Sequence, residues 1–597
     1  LLPDAVIRLA GNSQDGIQTI GGFLARLAGR SDQDVLTYMT IPSTISGGPS
    51  IFQVRMGTGD ILSAGDQTDF LVAFYQHSYE AHVGSLRDGG VLIYDSDNVT
   101  PDASDRRIVR VPVPITSLTI EVMGGAGKDK GKNMFVLGLI ARIFSLDVAK
   151  LHALVRERFG GRSEDIVRNA LLALDAGYGH PVEHLLGHLY RFGEKKRTGG
   201  RPQITMDGNT ALTYGLLTAG VRYGAAYPIT PWSTIMEMLR SELPKYGGIF
   251  VQAEDELSAV SMAIGFAYAG HLAVTGSSGP GLSLKAEALG WAVMAEIPLI
   301  VINVQRGGPS TGLPTNIEQS DLMQAIYGSH GDAPRVVIAP HDVEDCFYSA
   351  LEAARIAREC SVPVIILTDQ ALATRIEAFD EPELEDLIRP PALDLSPRPA
   401  DFKPYPLDRI TRHAPPGSVV GSGVYPTVTG LEHDELGHPT ANPALHTKMT
   451  ARRRDKLKQL GDALPRPEVY GDSTGDTLLI SWGSPYGPVK EAVNRMRDAG
   501  EKCAHMHLRH LNPLPPDLER IFVRFRQIFV VELNDQGLYG YGQLAMLLRA
   551  RYANPAIRSI TKTDGLAFKT REVIEGVRRL GGAASASVSA YPSDLHS

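Results

Sequence analysis

The chain has 597 residues, 43% hydrophobic and 21% charged, so its composition is globular and it is too long for one ordinary core; roughly three or four domains are expected. A formal net charge of −8 excludes a dedicated nucleic-acid binder, whose domain would be basic, and no apolar run reaches the roughly 18 residues that span a membrane. The three cysteines, Cys346, Cys360 and Cys503, stand far apart, which excludes a disulfide framework and a four-cysteine iron–sulfur site in this chain and points to a reduced cytoplasmic protein.

Residues 1–195 read as one α/β unit. The opening LLPDAVIRLAG carries Asp4 and Arg8 within its apolar stretch and reads as a strand rather than a secretory signal. GNSQDGIQTIGGFLARLAGR follows as a glycine-bounded helix. Gly11, Gly16 and Gly21 have the position of a GxGxxG fingerprint but not its spacing, so close packing and approach to a ligand both remain open. VLTYMT, IFQVRMG, FLVAFY and GVLIYDS read as strands, FVLGLIARIF and 163–192 as helical. Strands alternating with helices predict a parallel sheet. EKKRTGGRP, 194–202, reads as a linker.

Residues 203–380 form a second α/β run. Its strand YGAAYP stops at prolines, because proline ends a central strand. STIMEMLRSEL follows as a helix with Ser233 or Thr234 as its cap. GIFVQA, LAVTG, PLIVINV, PRVVIAP and VPVIILTD are the other strands. Ligands collect beyond the carboxyl ends of parallel strands. Chain order alone therefore gathers AYPITP, the acids Glu254 to Glu256, SSGPG and QRGGPSTG at one sheet edge. Residues 381–465 read as a connector lying on the surface, with the basic run ARRRDKLK. Residues 466–582 form a third α/β unit, and 583–597 a low-complexity tail.

Several residues at that edge have chemistry to offer. Acids at a helix start complement the helix dipole, and one of them can instead face a ligand. Arg306 ends a strand and leads a glycine-rich turn, which suits a carboxylate or phosphate as well as an ordinary salt bridge. SSGPG, 277–281, resembles an anion cradle without the GxxxxGK[ST] pattern of a P-loop. In AAYPITPWST, 225–234, Pro228 and Pro231 stiffen the backbone around Thr230. Trp232 suits the core, and His330 an exposed or structural place.

Together these motifs resemble the alpha chain of the thiamine-diphosphate-dependent 2-oxoacid:ferredoxin oxidoreductases. YPITP, QAEDE, TGSSGPG, QRGGPSTGLPT and YGSHGD occur in that family's order, and TGLEHDELG with KMTARRRDKLK resembles its connector. SWGS, HLRHLNPLP and VVELNDQGLYGYGQL resemble its transketolase C-terminal-like domain, and PSTISGGPSIFQVRMG its gamma domain, here fused ahead of the alpha part. The fusion is most like the 2-oxoglutarate branch. The implied fold is multi-domain α/β: a gamma domain at 1–195, a pyrimidine-type thiamine-diphosphate-binding domain at 203–380, the connector, and a transketolase C-terminal-like domain at 466–582.

By the same resemblance, Glu256 would bond N1′ of the thiamine aminopyrimidine, Thr230 would sit beside the 2-oxoacid group, and Arg306 would pair with the substrate carboxylate. Tyr227, Pro228, Ile229, Ser278 and Gly279 would line the cofactor. No Gly-Asp-Gly stretch for Mg²⁺ and no cysteine cluster occur in the sequence. A beta subunit would therefore bring the diphosphate site, Mg²⁺ and a [4Fe–4S] cluster, with two copies of each chain in the assembly. Coenzyme A would be co-substrate, partly enclosed by the gamma domain, and ferredoxin the electron acceptor; no nucleic acid or membrane partner is implied. Pyruvate, branched-chain or aryl 2-oxoacids are the alternative substrates, and a non-catalytic scaffold paralogue is the alternative role.

Overall fold

A computed structural model describes residues 1–40, 48–125, 131–161, 163–193, 201–391, 395–418 and 427–582. Most of the linker, all of PSTISGG but its last glycine, the GSGVYP part of the connector and the 583–597 tail lie outside the described residues.

The first unit contributes β1 (Asp4–Asn12), β2 (Asp34–Met39), β3 (Pro49–Gly57), β4 (Thr68–Ala73), β5 (Leu86–Asp95) and β6 (Val109–Val113). The middle of the chain adds β7 (Gln203–Asp207), β8 (Tyr223–Ala226), β9 (Ile249–Gln252), β10 (Ala273–Ser277), β11 (Leu299–Gln305), β12 (Val336–Ile338), β13 (Pro363–Asp369) and β14 (Ile376–Asp380). The last part adds β15 (Val469–Gly471), β16 (Gly475–Ser481), β17 (Cys503–His507), β18 (His510–Asn512), β19 (Phe525–Glu532) and β20 (Ile557–Thr561).

The first sheet runs β6-β5-β4-β1-β3-β2-β14-β7. β1, β4, β5 and β6 pair in parallel, whereas β3 lies antiparallel to β1 and β2, and β14 antiparallel to β2 and β7. The expected parallel sheet is thus a mixed one. The physical reason is local: β2 ends at Met39 and β3 begins at Pro49, too few residues for a crossover helix. The outer strands β14 and β7 come from either end of the second unit, so the boundary expected near residue 203 falls inside one sheet.

The second sheet runs β18-β12-β13-β11-β10-β8-β9, parallel except for β18, which the third unit lends to its edge. Every residue of β10, β11 and β13 is buried, because helices cover both faces of a parallel sheet. Ala273, Leu299 and Val301 point into one core, Val274, Ile300 and Ile302 into another. The first of these cores continues into Leu478, Ile480 and Trp482 of the third unit, whose sheet runs β15-β17-β16-β19-β20. In the second sheet the strand order reverses between β8 and β10, which opens a crevice beyond their carboxyl ends.

The connector corrects a second expectation. Its helix, Pro443–Ala463, does not lay the basic run on the surface: Arg452, Arg453 and Lys456 are buried. Arg452 and Lys456 are one turn apart on the same face, and both reach Glu296, Lys456 Nζ at 2.7 Å from Oε2. Arg453 pairs with Glu432 at 2.9 Å.

Candidate functional site

The crevice is built by the segments that follow β8, β9, β10 and β11. After β8 the chain passes through Tyr227, Pro228, Ile229 and Thr230, and the Thr230–Pro231 peptide is cis. Asn209, almost fully buried, donates from Nδ2 to the Pro231 carbonyl at 3.0 Å and to Thr234 Oγ1 at 2.8 Å, and so holds the turn from beneath. Neither Ser233 nor Thr234 caps the helix Ser233–Glu242, contrary to expectation; the Thr234 hydroxyl is engaged by Asn209 instead. Trp232 is fully buried, and a Cβ on Gly276 of β10 would lie 2.2 Å from its ring, so only glycine admits the indole there.

The acidic triplet after β9 divides into three roles. Glu254 is exposed. Asp255 is the helix cap, accepting from Ser258 N at 2.7 Å. Glu256 is the first residue of the helix Glu256–Tyr268 and is only 7% exposed. One acid therefore serves the helix dipole, and the next turns inward beside the crevice.

SSGPG follows β10 and opens the helix Gly279–Met294. Ser277 and Ser278 are buried, and neither hydroxyl has a hydrogen-bond partner. A Cβ on Gly281 would fall 1.8 Å from Ser277 Oγ and 2.8 Å from Glu256 Cγ. Ser277, Gly281 and Glu256 are therefore packed together. Gly279 lies against Asp321, whose carboxylate oxygens would stand 2.9 and 3.1 Å from a Cβ there.

Arg306 follows β11 and is 7% exposed. Its Nη1 donates to the Thr230 carbonyl at 2.7 Å, while its buried Nε has no partner. Burial lowers the guanidinium pKa, and Asp321 opposes that. Two of the residues singled out from sequence are thus joined directly, through the backbone of Thr230 and not its hydroxyl. Thr230 and Tyr227 are themselves exposed at the edge, and Pro228 and Ile229 half-buried. The glycine-rich loop after Arg306 is fastened by Gly308 N donating to Glu318 Oε2 at 3.1 Å. His330 is exposed and stands apart from the chemistry, as expected.

Two functional candidates carry no sequence signal. Asp321 accepts from Asn303 Nδ2 at 2.9 Å, and burial pushes its carboxyl up to about 6; Glu318 adds to this, while the Asn303 bond and Arg306 oppose it. Lys285 is fully buried, with Nζ 3.2 Å from the Glu256 carbonyl and 3.1 Å from Thr275 Oγ1. A cleft lined in part by Tyr38, Thr315, Gln370, Arg375 and Phe568 joins all three units beside the Arg306 loop. Among the described residues no group of three or more His, Cys, Asp or Glu side chains could hold a metal ion. The described residues also include no helix long and apolar enough to cross a membrane.

One buried carboxylate and two unengaged hydroxyls offer acceptors and donors of the kind that the edge of a heteroaromatic ring needs, and Ser277 and Glu256 close on Gly281 so that no side chain enters between them. The unengaged Arg306 nitrogen fits an anion beside it.

Comparison with known proteins places these features in a family. Three family profiles match the chain. Residues 214–452 match "Pyruvate flavodoxin/ferredoxin oxidoreductase, thiamine diP-bdg", residues 6–180 match "Pyruvate ferredoxin/flavodoxin oxidoreductase", and residues 475–573 match "Pyruvate:ferredoxin oxidoreductase core domain II". The 2-oxoglutarate oxidoreductase subunit KorA of Mycobacterium tuberculosis is 39% identical over 97% of this chain and 91% of its own length. Subunit alpha of 2-oxoacid:ferredoxin oxidoreductase 1 from Aeropyrum pernix is 30% identical over 96% of this chain and 97% of its own. Among solved structures, the 2-oxoglutarate:ferredoxin oxidoreductase from Magnetococcus marinus, with 2-oxoglutarate, coenzyme A and succinyl-CoA bound, superposes with a TM-score of 0.88 at 33% identity. That match covers 97% of this chain and 100% of that one.

Proposed function

The chain belongs to the 2-oxoacid:ferredoxin oxidoreductases as an alpha-type subunit, and on that premise we propose that it carries the pyrimidine and 2-oxoacid side of a thiamine diphosphate site acting on 2-oxoglutarate. The reaction is 2-oxoglutarate + coenzyme A to succinyl-CoA + CO₂, with two electrons passed to ferredoxin and one proton released, and it is reversible in principle. The observation that carries the reading is the convergence at one switch point of Glu256, the free Ser277 and Ser278 hydroxyls, and Arg306 anchored on Thr230.

Thiamine diphosphate, when bound, supplies the carbon nucleophile and electron sink that decarboxylation of a 2-oxoacid needs. The chain's own residues do the rest. Glu256 would hold a proton shared with N1′ of the pyrimidine. Ser278 and Gly279, at the helix start, would line the cofactor together with Tyr227, Pro228 and Ile229. Arg306 is already fixed through Nη1, so its remaining nitrogens can hold the substrate carboxylate without first being ordered. Thr230 is exposed at the edge, where its hydroxyl would meet the 2-oxo group.

The relatives are named as subunits, so the enzyme has other chains. We assign Mg²⁺, the diphosphate site and a [4Fe–4S] cluster to a beta subunit, with two of each chain in the complex. The sequence supports this: its three cysteines are scattered, and it has no Gly-Asp-Gly. The gamma-type unit at the N-terminus borders the cleft beside the Arg306 loop and is assigned to coenzyme A. Pyruvate, named in all three family profiles, is the rival substrate. The assembled enzyme should reduce a viologen dye with 2-oxoglutarate and coenzyme A faster than with pyruvate; reduction by pyruvate alone would overturn the substrate assignment.

A further inference from the structure

The helix start that bears Glu256 rests on a lysine. Lys285 lies in the facing helix, Gly279–Met294, with no exposure to solvent. It donates to the Glu256 carbonyl at 3.2 Å and to Thr275 Oγ1 of β10 at 3.1 Å. The ammonium therefore ties the first residue of one helix to the strand that delivers Ser277 and Ser278. The charged groups that face it are Glu256 and Asp255, both on the helix start it holds. Asp321 lies against Gly279, at the beginning of the lysine's own helix.

This is a costly place for a cation. Both hydrogen-bond acceptors are neutral, and burial lowers the Lys285 pKa from 10.5 to about 8, with Glu256 and then Asp255 opposing the shift. The folded chain thus gives up this proton sooner than the unfolded chain does. The penalty is full below about pH 8 and fades as pH rises toward the ordinary lysine value. Stability alone does not account for such a group, since an apolar side chain of similar length would fill the space without the penalty.

We propose that Lys285 is a positioning residue for the reaction: its ammonium locks the first turn of the Glu256 helix to β10 and so fixes where the Glu256 carboxylate meets the cofactor's pyrimidine. The inference rests on the Glu256 assignment above. The protonated lysine serves both acceptors with charge-assisted bonds, whereas the neutral amine keeps two hydrogens but loses the charge that strengthens both bonds.

The test uses the assembled enzyme carrying Lys285→Met, Lys285→Arg or Glu256→Gln. Three quantities are read: turnover against pH, the dissociation constant for thiamine diphosphate, and the thermal midpoint. Lys285→Met should lower turnover roughly tenfold to hundredfold and weaken cofactor binding, while its thermal midpoint near neutral pH is equal to or above that of the parent. The parent should lose turnover as pH passes about 8, and Lys285→Arg, which keeps its charge, should restore part of the turnover and lack that alkaline limb. Parent-like turnover with an unchanged alkaline limb in Lys285→Met would overturn the proposal. So would a loss of turnover that only tracks a lowered thermal midpoint. If Lys285→Met fails to assemble, Thr275→Val removes one acceptor and should move the alkaline limb to lower pH; an unmoved limb overturns the proposal equally. Parent-like turnover in Glu256→Gln would remove the underlying reading, whereas a loss there with none in Lys285→Met would sink the lysine's role alone.

Discussion

The carboxyl edge of the second sheet and the seam beneath the connector helix both bury cations, yet they partner them differently. At the seam each cation meets a carboxylate: Arg452 and Lys456 share Glu296, and Arg453 takes Glu432 through both terminal nitrogens, at 3.1 and 2.9 Å. At the edge, Lys285 and Arg306 are hydrogen-bonded to neutral oxygens only, and the Arg306 Nε, Ser277 and Ser278 have no partner at all. Buried polar groups normally find partners within the fold. Arg452 Nη2 at the seam also lacks a partner, so the contrast lies in charge: at the seam carboxylates of another segment answer the cations and fasten it, and at the edge no carboxylate bonds them. The seam closes the fold, and the edge is left open for chemistry.

Substitutions on the two sides should therefore fail in different assays. Arg306→Met should cost roughly a thousandfold in turnover, because the 2-oxoacid carboxylate then meets no cation, while unfolding is little changed. Steady-state kinetics beside a denaturant titration would separate the two; an equal loss in both would erase the contrast. Glu296→Ala should do the reverse, destabilising the chain by about 3 kcal/mol by stranding two buried cations, with turnover per folded enzyme retained.

Asp321 sharpens the contrast through pH. Its folded carboxyl titrates near 6 and the unfolded one near 3.8, so the folded chain keeps the proton longer and stability falls as pH rises between those values. Asp321→Asn should accordingly stabilise by about 2 kcal/mol above pH 7, with the gain shrinking as pH drops toward 4, in denaturant midpoints measured across that range. Asn209→Ala should have the smallest effect, about 1 kcal/mol, since it removes two hydrogen bonds beneath the Pro231 turn; its KM for the 2-oxoacid should rise because the turn next to Thr230 is held less firmly.

The edge was legible in the sequence because it depends on chain order. β10, β11 and β13 begin as short apolar runs and turn polar at their carboxyl ends, and Pro228 and Glu256 follow within a few residues of the ends of β8 and β9. Parallel strands necessarily deliver those ends to one side. What chain order does not determine was not legible. The pairing of β14 with β2 joins Glu377 to Leu36 across most of the chain, and no local pattern announces it. Arg452 and Lys456 look like a solvated face until Glu296 arrives from another helix end. Lys285 sits in LSLKAEALG, whose pattern is that of an ordinary amphipathic helix; only the close approach of the Glu256 helix makes it internal. Arg306 and Thr230 were both identified, but their link runs through a carbonyl, which no side-chain pattern encodes.

The central claim is that the inward-turned acid of the triplet does the chemistry. Glu256→Gln keeps the shape and removes the shared proton, so turnover of the assembled enzyme with 2-oxoglutarate should fall at least roughly a hundredfold while assembly and the thermal midpoint are unchanged. Turnover equal to that of the parent, in a properly assembled enzyme, would contradict the account.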